Sequence, residues 1–283
     1  MKLLTIVVSL FALALCEEDH VDWSKVKTRD LVVTNPITGE FRVNSRIVGG
    51  QEAVQNQFPY QVGLLVTTPG GIYFCGGALI SQTAVATAGH CLVAGTQVEV
   101  RMGAHNVMSQ EITQQRVVSL NFLIHPGYNP DTIGHDIGVV ILPAAVTFND
   151  FIQPIPLPSY DDFDRTFAGL PATMTGWGVT ADGSTVISET LRFLSTTIMT
   201  NTACNIGFLG QILPSHLCTS GEGGVGACTG DSGGAVVAEN KLVGVISFAL
   251  SFSCQAGWPS GHSRVTSSID WIVSVTDAVP SPS

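Results

Sequence analysis

The sequence predicts an all-β fold, a barrel or a sandwich, and three observations predict it. Short apolar or alternating runs recur along the chain, separated by glycine, proline and asparagine. Glycine is abundant at 30 residues, while charged residues make up only 12%, which suits a loop-rich β protein. Helical periodicity is missing until the C-terminal end. At 283 residues the chain can build one large all-β unit or two smaller ones.

The strand candidates are residues 61–66, 73–80 and 85–88, followed by 97–102, 115–124 and 137–142. Residues 150–171 crowd Pro154, Pro156, Pro158 and Gly169 into a linker-like stretch where two units would divide. The helix candidate is 266–277, with Ile269, Trp271, Ile272 and Val275 at helical spacings and Ser267 and Ser268 available as caps.

The N-terminus reads as processing signals. Lys2 precedes an apolar run from Leu3 to Leu15 that ends at Ala14-Leu15-Cys16. A membrane helix needs about 20 apolar residues, so residues 1–16 read as a secretory signal peptide. Its removal takes away one of seven cysteines. Six cysteines in a secreted chain imply three disulfides, with fifteen possible pairings. Residues 17–46 are polar and charged, with no apolar periodicity, and read as a pro-segment without a core of its own. That segment contains no cysteine, so nothing tethers it covalently once cut. Residues 47–283 carry 6 Lys and Arg against 16 Asp and Glu, so the net charge of -10 lies in this part. Such acidity argues against nucleic acid and anionic membranes as partners.

Three distant stretches carry chemistry. Gly230-Asp231-Ser232-Gly233-Gly234, with Cys228 two residues before, reads as a nucleophile on a tight turn. Thr87-Ala88-Gly89-His90-Cys91 supplies a base, and His135-Asp136-Ile137-Gly138 supplies a carboxylate. A serine hydroxyl is a poor nucleophile at neutral pH and needs an adjacent base. The base in turn needs a group that fixes its tautomer. Singly, these are a surface serine, a core-edge histidine and a loop aspartate. Together they occur in the order His, Asp, Ser, 46 and 96 residues apart. Among the other histidines, His20, His105, His125, His135, His216 and His262, none is given a role. His135 is read as structural, since neighbours on a strand face opposite ways.

On these residues the chain, from Ile47 to about Ala278, resembles the chymotrypsin-like serine proteases of the trypsin fold. It is similar in particular to arthropod chymotrypsin-like and brachyurin-like enzymes. The resemblance implies two six-stranded antiparallel β-barrels with a C-terminal α-helix. It implies the triad His90, Asp136 and Ser232, and an oxyanion hole of the Gly230 and Ser232 N–H groups. From the fifteen pairings it selects Cys75–Cys91, Cys204–Cys218 and Cys228–Cys254. Arg46-Ile47-Val48-Gly49-Gly50 resembles an activation site: cleavage after Arg46 frees an ammonium on Ile47, which pairs with the buried Asp231. Removing one partner of such a pair costs roughly 3–5 kcal/mol, so the cut drives ordering of the nearby loops. Some relatives bind calcium near residues 105–115. Only Glu111 is acidic there, too few oxygens for a good site, so no metal and no cofactor are expected.

The same resemblance places Gly226 at the base of the specificity pocket, Ser247, Phe248 and Ala249 on one wall and Ser260 on the other. An uncharged base disfavours Arg and Lys, because a cation buried there has no counter-ion. Ala249 and Ser260 stand where many chymotrypsins carry glycine, which narrows the slot. An acidic residue is expected at Ser260 in the broad-specificity collagenolytic relatives, and it is absent. The expectation is a secreted, monomeric, chymotrypsin-like serine endopeptidase made as a zymogen, extracellular and suited to digestion in a gut lumen. Its expected partners are protein or peptide substrates, an activating trypsin-like protease and protein protease inhibitors. Elastase-like specificity and a non-catalytic regulatory role are the alternatives.

Overall fold

The computed structural model describes residues 21–29, 31–35, 39–43, 50–180, 186–249 and 257–282. Its centre is two β-sheets that each close on themselves. The first comprises β5 (Gln61–Thr68), β6 (Gly71–Leu79), β7 (Ala84–Thr87), β8 (Gln97–Met102), β9 (Gln115–Ser119), β10 (Asn121–Ile124) and β11 (Gly138–Ile141). The pairing order is β10-β11-β7-β6-β5-β8-β9. Only Leu120 separates β9 from β10, so the two ends of that order are one chain run and the sheet forms a barrel. The second comprises β12 (Pro171–Gly176), β13 (Arg192–Met199), β14 (His216–Thr219), β15 (Ala235–Ala238), β16 (Lys241–Ala249) and β17 (Ser260–Arg264). Here β12 also pairs with β13, which closes the ring. The short β4 (Gln51–Glu52) adds to β13. These are the two antiparallel barrels of the chymotrypsin fold, and residues 142–170 cross between them without a strand.

Alternation builds both interiors. Val62, Leu64 and Val66 on β5 and Val98, Val100 and Met102 on β8 point into the first core and are fully buried. That core continues into Ala235, Leu242 and Val245 of the second barrel and into Ile269 and Ile272 of the C-terminal helix. This helix, α3 (Ile269–Val275), which comes after α2 (Asn201–Gly207) in the chain, follows a 3-10 turn at Thr266–Ser268. The serines do not cap it. Ser267 Oγ donates weakly to the Pro214 carbonyl at 3.5 Å and Ser268 Oγ lies 3.5 Å from His135 Nδ1, so both turn toward other segments. The Cys75–Cys91 and Cys204–Cys218 bridges are both formed. Cys254 lies outside the described residues, and with it the third pairing; Cys228 is buried.

The segment before Ile47 borrows the core it lacks. A 3-10 turn at Trp23–Lys25 is capped by the Asp22 carboxylate, which accepts from Ser24 N. β1 (Lys27–Thr28) joins β6 in parallel, Lys27 opposite Tyr73 and Thr28 opposite Phe74. Val21, Trp23 and Val26 pack on Phe74, Trp177 and Ile187. β2 (Leu31–Asn35) and β3 (Gly39–Val43) form a separate hairpin.

Two buried histidines make the fold acid-sensitive. His262 on β17 is fully buried, and burial pushes its pKa down to about 3 from an ordinary 6.5. Its Nε2 lies 2.8 Å from Thr219 Oγ1. Burial also lowers His216, whose Nδ1 accepts from Leu213 N and whose Nε2 lies 3.0 Å from the Ile133 carbonyl. The unfolded chain therefore binds protons these sites refuse, and stability falls as pH drops from about 6.5 toward 3. His262 alone removes at most about 1.4 kcal/mol per pH unit in that window. Thermal unfolding of His262→Gln between pH 7 and pH 4 should show a shallower loss than the parent protein; an equal slope would contradict the assignment.

Candidate active site

Local structure places the three motifs. After β7 the chain turns into α1 (Gly89–Leu92), a single helical turn that carries His90. The Cys75–Cys91 bridge fastens this turn to β6. Asp136 sits just before β11, after a turn in which Ile133 and His135 take positive φ (56° and 49°). His135 is therefore in a turn and not on a strand, and its ring stacks on His125 at 4.7 Å. Ser232 lies in the turn between β14 and β15.

Asp136 is fully buried and has three donor groups. Its Oδ1 accepts from His90 N at 2.7 Å, and its Oδ2 lies 2.7 Å from His90 Nδ1. Ser247 Oγ donates to the same Oδ2 at 2.5 Å. Burial works to raise this carboxyl's pKa, but the His90 and Ser247 interactions outweigh it and hold it below the ordinary carboxylate range. The carboxylate is ionised at neutral pH and fixes the imidazole with Nδ1 toward Asp136 and Nε2 away from it. Ser247 was expected only as a wall of the specificity pocket. Nothing in its Ile246-Ser247-Phe248 context marks it as a donor, because its reach to Asp136 spans 111 residues.

Ser232 is 2% exposed and its hydroxyl makes no hydrogen bond among the described residues. The serine hydroxyl is thus not hydrogen-bonded to His90, the base proposed for it. The two residues nonetheless share a neighbour: Cys91 Sγ lies 3.8 Å from His90 Nε2 and 3.7 Å from the Ser232 carbonyl oxygen. Such bonds commonly tighten only when substrate arrives. The Ser232 carbonyl also accepts from Gly76 N at 2.7 Å, pinning the serine turn against the first barrel. Gly233 must be glycine. Its φ is +85°, and a Cβ there would lie 2.2 Å from Thr87 Oγ1.

Asp231 is fully buried. Its Oδ1 accepts from Gly178 N and its Oδ2 from Cys228 N, both at 2.8 Å. Arg46 and Ile47, the expected activation pair, lie outside the described residues. The pocket candidates lie on β16, on β17 and, for Gly226, in the segment between β14 and β15. Ala249 pairs with Ser260, and Ser260 Oγ accepts from Ala227 N at 3.2 Å. Phe248 packs edge-on against Phe208 and His216 at 5.3 and 4.9 Å. Gly226, Ala249 and Ser260 are all buried. In the 105–115 loop, Glu111 Oε2 accepts from His105 N, Asn106 N and Gln114 Nε2, so this carboxylate holds its own loop together. The one close cluster of ligand-type residues among those described is Cys75, His90 and Cys91, and its sulfurs are joined to each other.

The geometry matches known proteins. A family model described as Trypsin matches residues 47–272. A brachyurin from Leptuca pugilator is 39% identical over 234 residues, covering 83% of this chain and all of that protein. A chymotrypsin from Phaedon cochleariae is 34% identical, covering 96% of this chain and 97% of its own length. A solved structure of HL collagenase superposes with a TM-score of 0.74 at 36% identity, over 81% of this chain and 97% of that one.

The space around Asp231 gives a test. A Cβ on Gly178 would sit 2.3 Å from Asp231 Oδ2 and 2.5 Å from its Cγ. Gly178→Ala should displace the carboxylate and cost about 1–3 kcal/mol. Urea unfolding measures this, and a loss under about 0.5 kcal/mol, as for an ordinary surface site, would contradict it.

Proposed function

The chain belongs to the trypsin family of serine endopeptidases, hydrolases that act on proteins, and from that premise we propose a chymotrypsin-like enzyme. It is secreted, extracellular, monomeric and made as a zymogen matured by cleavage after Arg46. The domain division proposed is 1–16 signal peptide, 17–46 pro-segment and 47–283 protease. The observation that supports this reading most is the buried His90–Asp136 pair lying against the serine turn.

In this reading Ser232 Oγ attacks the scissile carbonyl while His90 Nε2 takes its proton. Asp136 holds the ring in the tautomer that makes this possible and stabilises the imidazolium. The oxyanion forms against the N–H groups of Gly230 and Ser232, and His90 then protonates the leaving amine. Water repeats the sequence on the acyl-enzyme. Gly230 has φ +93° and a Cβ there would meet Ile187 Cγ2 at 2.8 Å, so a branched residue would misplace the donor.

Specificity is proposed for an apolar residue before the cut, through the uncharged Gly226. The side chains of Ala249 and Ser260 favour Leu, Met or smaller residues over large aromatics, and elastase-like specificity is the second reading they support. The missing acid at Ser260 argues against carrying over the collagen cleavage that the name of HL collagenase suggests. Because such a pocket rejects Arg, the zymogen depends on a trypsin-like activator at Arg46 and does not mature itself. The absence of cysteine from the pro-segment, and so of a cysteine-knit module there, favours digestion over a signalling cascade.

Trypsin activation followed by cleavage profiling on a peptide library tests this. Cuts after Leu, Met or smaller apolar residues are expected to exceed those after large aromatics, and cuts after Arg or Lys would contradict the pocket assignment. Asp136→Asn should keep the fold and lower kcat by roughly 10⁴-fold. Purified zymogen should remain uncut at Arg46 without trypsin, and Arg46→Gln should remain latent with it.

A further inference from the structure

We propose that residues 21–29, with Leu31, are an inhibitory strap that occupies the substrate cleft in the direction opposite to a substrate, and that the mature enzyme retains the site that binds it. This rests on the serine-protease reading above.

The strap has two anchors. The first is Trp23. Its indole N–H donates to the Met108 carbonyl at 3.2 Å, and its ring lies 6.1 Å from Phe74. The guanidinium of Arg101 stacks over the same ring at 5.1 Å, and Arg101 is 1% exposed with the indole in place. Trp23 is half-buried, and aromatic residues with a bonded N–H dominate many interfaces. The second anchor is Arg29. Its Nη1 donates to the His90 carbonyl at 2.6 Å, and its guanidinium lies 4.9 Å over the Tyr73 ring.

Between the anchors, β1 adds to β6 by β-augmentation, the common mode by which an extended peptide docks on a sheet edge. Thr28 then reaches the proposed oxyanion hole: its Cγ2 lies 3.4 Å from where a Cβ on Gly230 would be. Beyond the anchors, Leu31 packs on the cluster containing Ile133 and Phe248. Thr28, Arg29 and Leu31 face Tyr73, His90 and Tyr128 across one cleft.

The polarity follows from the chemistry. His90 protonates the leaving amine, so residues after the cut bond lie on the His90 and β6 side. Residues before the bond lie toward the pocket and Phe248. The strap meets β6 and His90 first, at Lys27 to Arg29, and the Phe248 cluster only at Leu31. It therefore runs backwards, and its carbonyls are not offered to Ser232 in the cleavable orientation. A strap of this kind blocks the cleft without being consumed. Cutting at Arg46 leaves its contacts intact, so release is a separate dissociation step.

The test uses trypsin-matured enzyme separated from its pro-segment by gel filtration, and a synthetic peptide of residues 21–31. Calorimetry should show one peptide bound per enzyme, competitive inhibition of a short peptide substrate, and intact peptide by mass spectrometry after prolonged incubation. Peptides carrying Trp23→Ala or Arg29→Ala should bind at least about tenfold more weakly. No binding at millimolar peptide, binding without inhibition, or cleavage of the peptide would each overturn the strap. Matured enzyme without activity before any peptide is added would instead count against the protease reading, and calorimetry would still decide whether the strap binds.

Discussion

The structure depends on keeping one charge, Asp136, out of water at the seam between two barrels. A carboxylate with no exposed surface needs donors on every side, since an unpaired buried charge costs several kcal/mol. The donors come from far apart: His90 from the turn after β7 in the first barrel and Ser247 from β16 in the second. Neither barrel can satisfy the acid alone. The requirement that couples the barrels is thus the same one that orients the imidazole, so folding and poise for catalysis share a single interaction.

A second hidden acid, Asp231, follows the same rule with a different purpose. Two backbone N–H groups serve it, and Gly176 and Gly178 leave it no room to move, since a Cβ on either would lie within 2.4 Å of a carboxylate oxygen. In the proposed scheme the freed ammonium of Ile47 joins these donors after cleavage. In that scheme the two acids divide the labour: Asp136 orders the proposed base, and Asp231 responds to processing. The strap would add a further restraint, acting on the cleft and not on the serine turn.

Much of this was legible in the sequence because it is carried by local pattern. Alternation in 61–66 and 97–102 gave strands at β5 and β8, and the helical spacing of Ile269 and Ile272 gave α3. The three motifs proposed to carry catalysis are short and keep their chain order, so they could be read without a fold. What could not be read depends on which segments meet in space. Ser247 reaches Asp136 across 111 residues, and its hydroxyl carries no local mark of that. Trp23 sits in a polar stretch without periodicity, and its packing uses Phe74 and Arg101 of another segment. Ser267 and Ser268 look like caps by position, yet tertiary neighbours claim their hydroxyls. His135 was read onto a strand, where a turn with positive φ intervenes.

The central claim is that the buried Asp136–His90 pair activates Ser232. Covalent labelling of the matured protein by a fluorophosphonate, with the modified residue found by peptide mapping and repeated on His90→Ala, tests it most directly. The account predicts modification at Ser232 alone, slowed by orders of magnitude when the imidazole is removed. Label on another residue, or equal rates with and without His90, would contradict it.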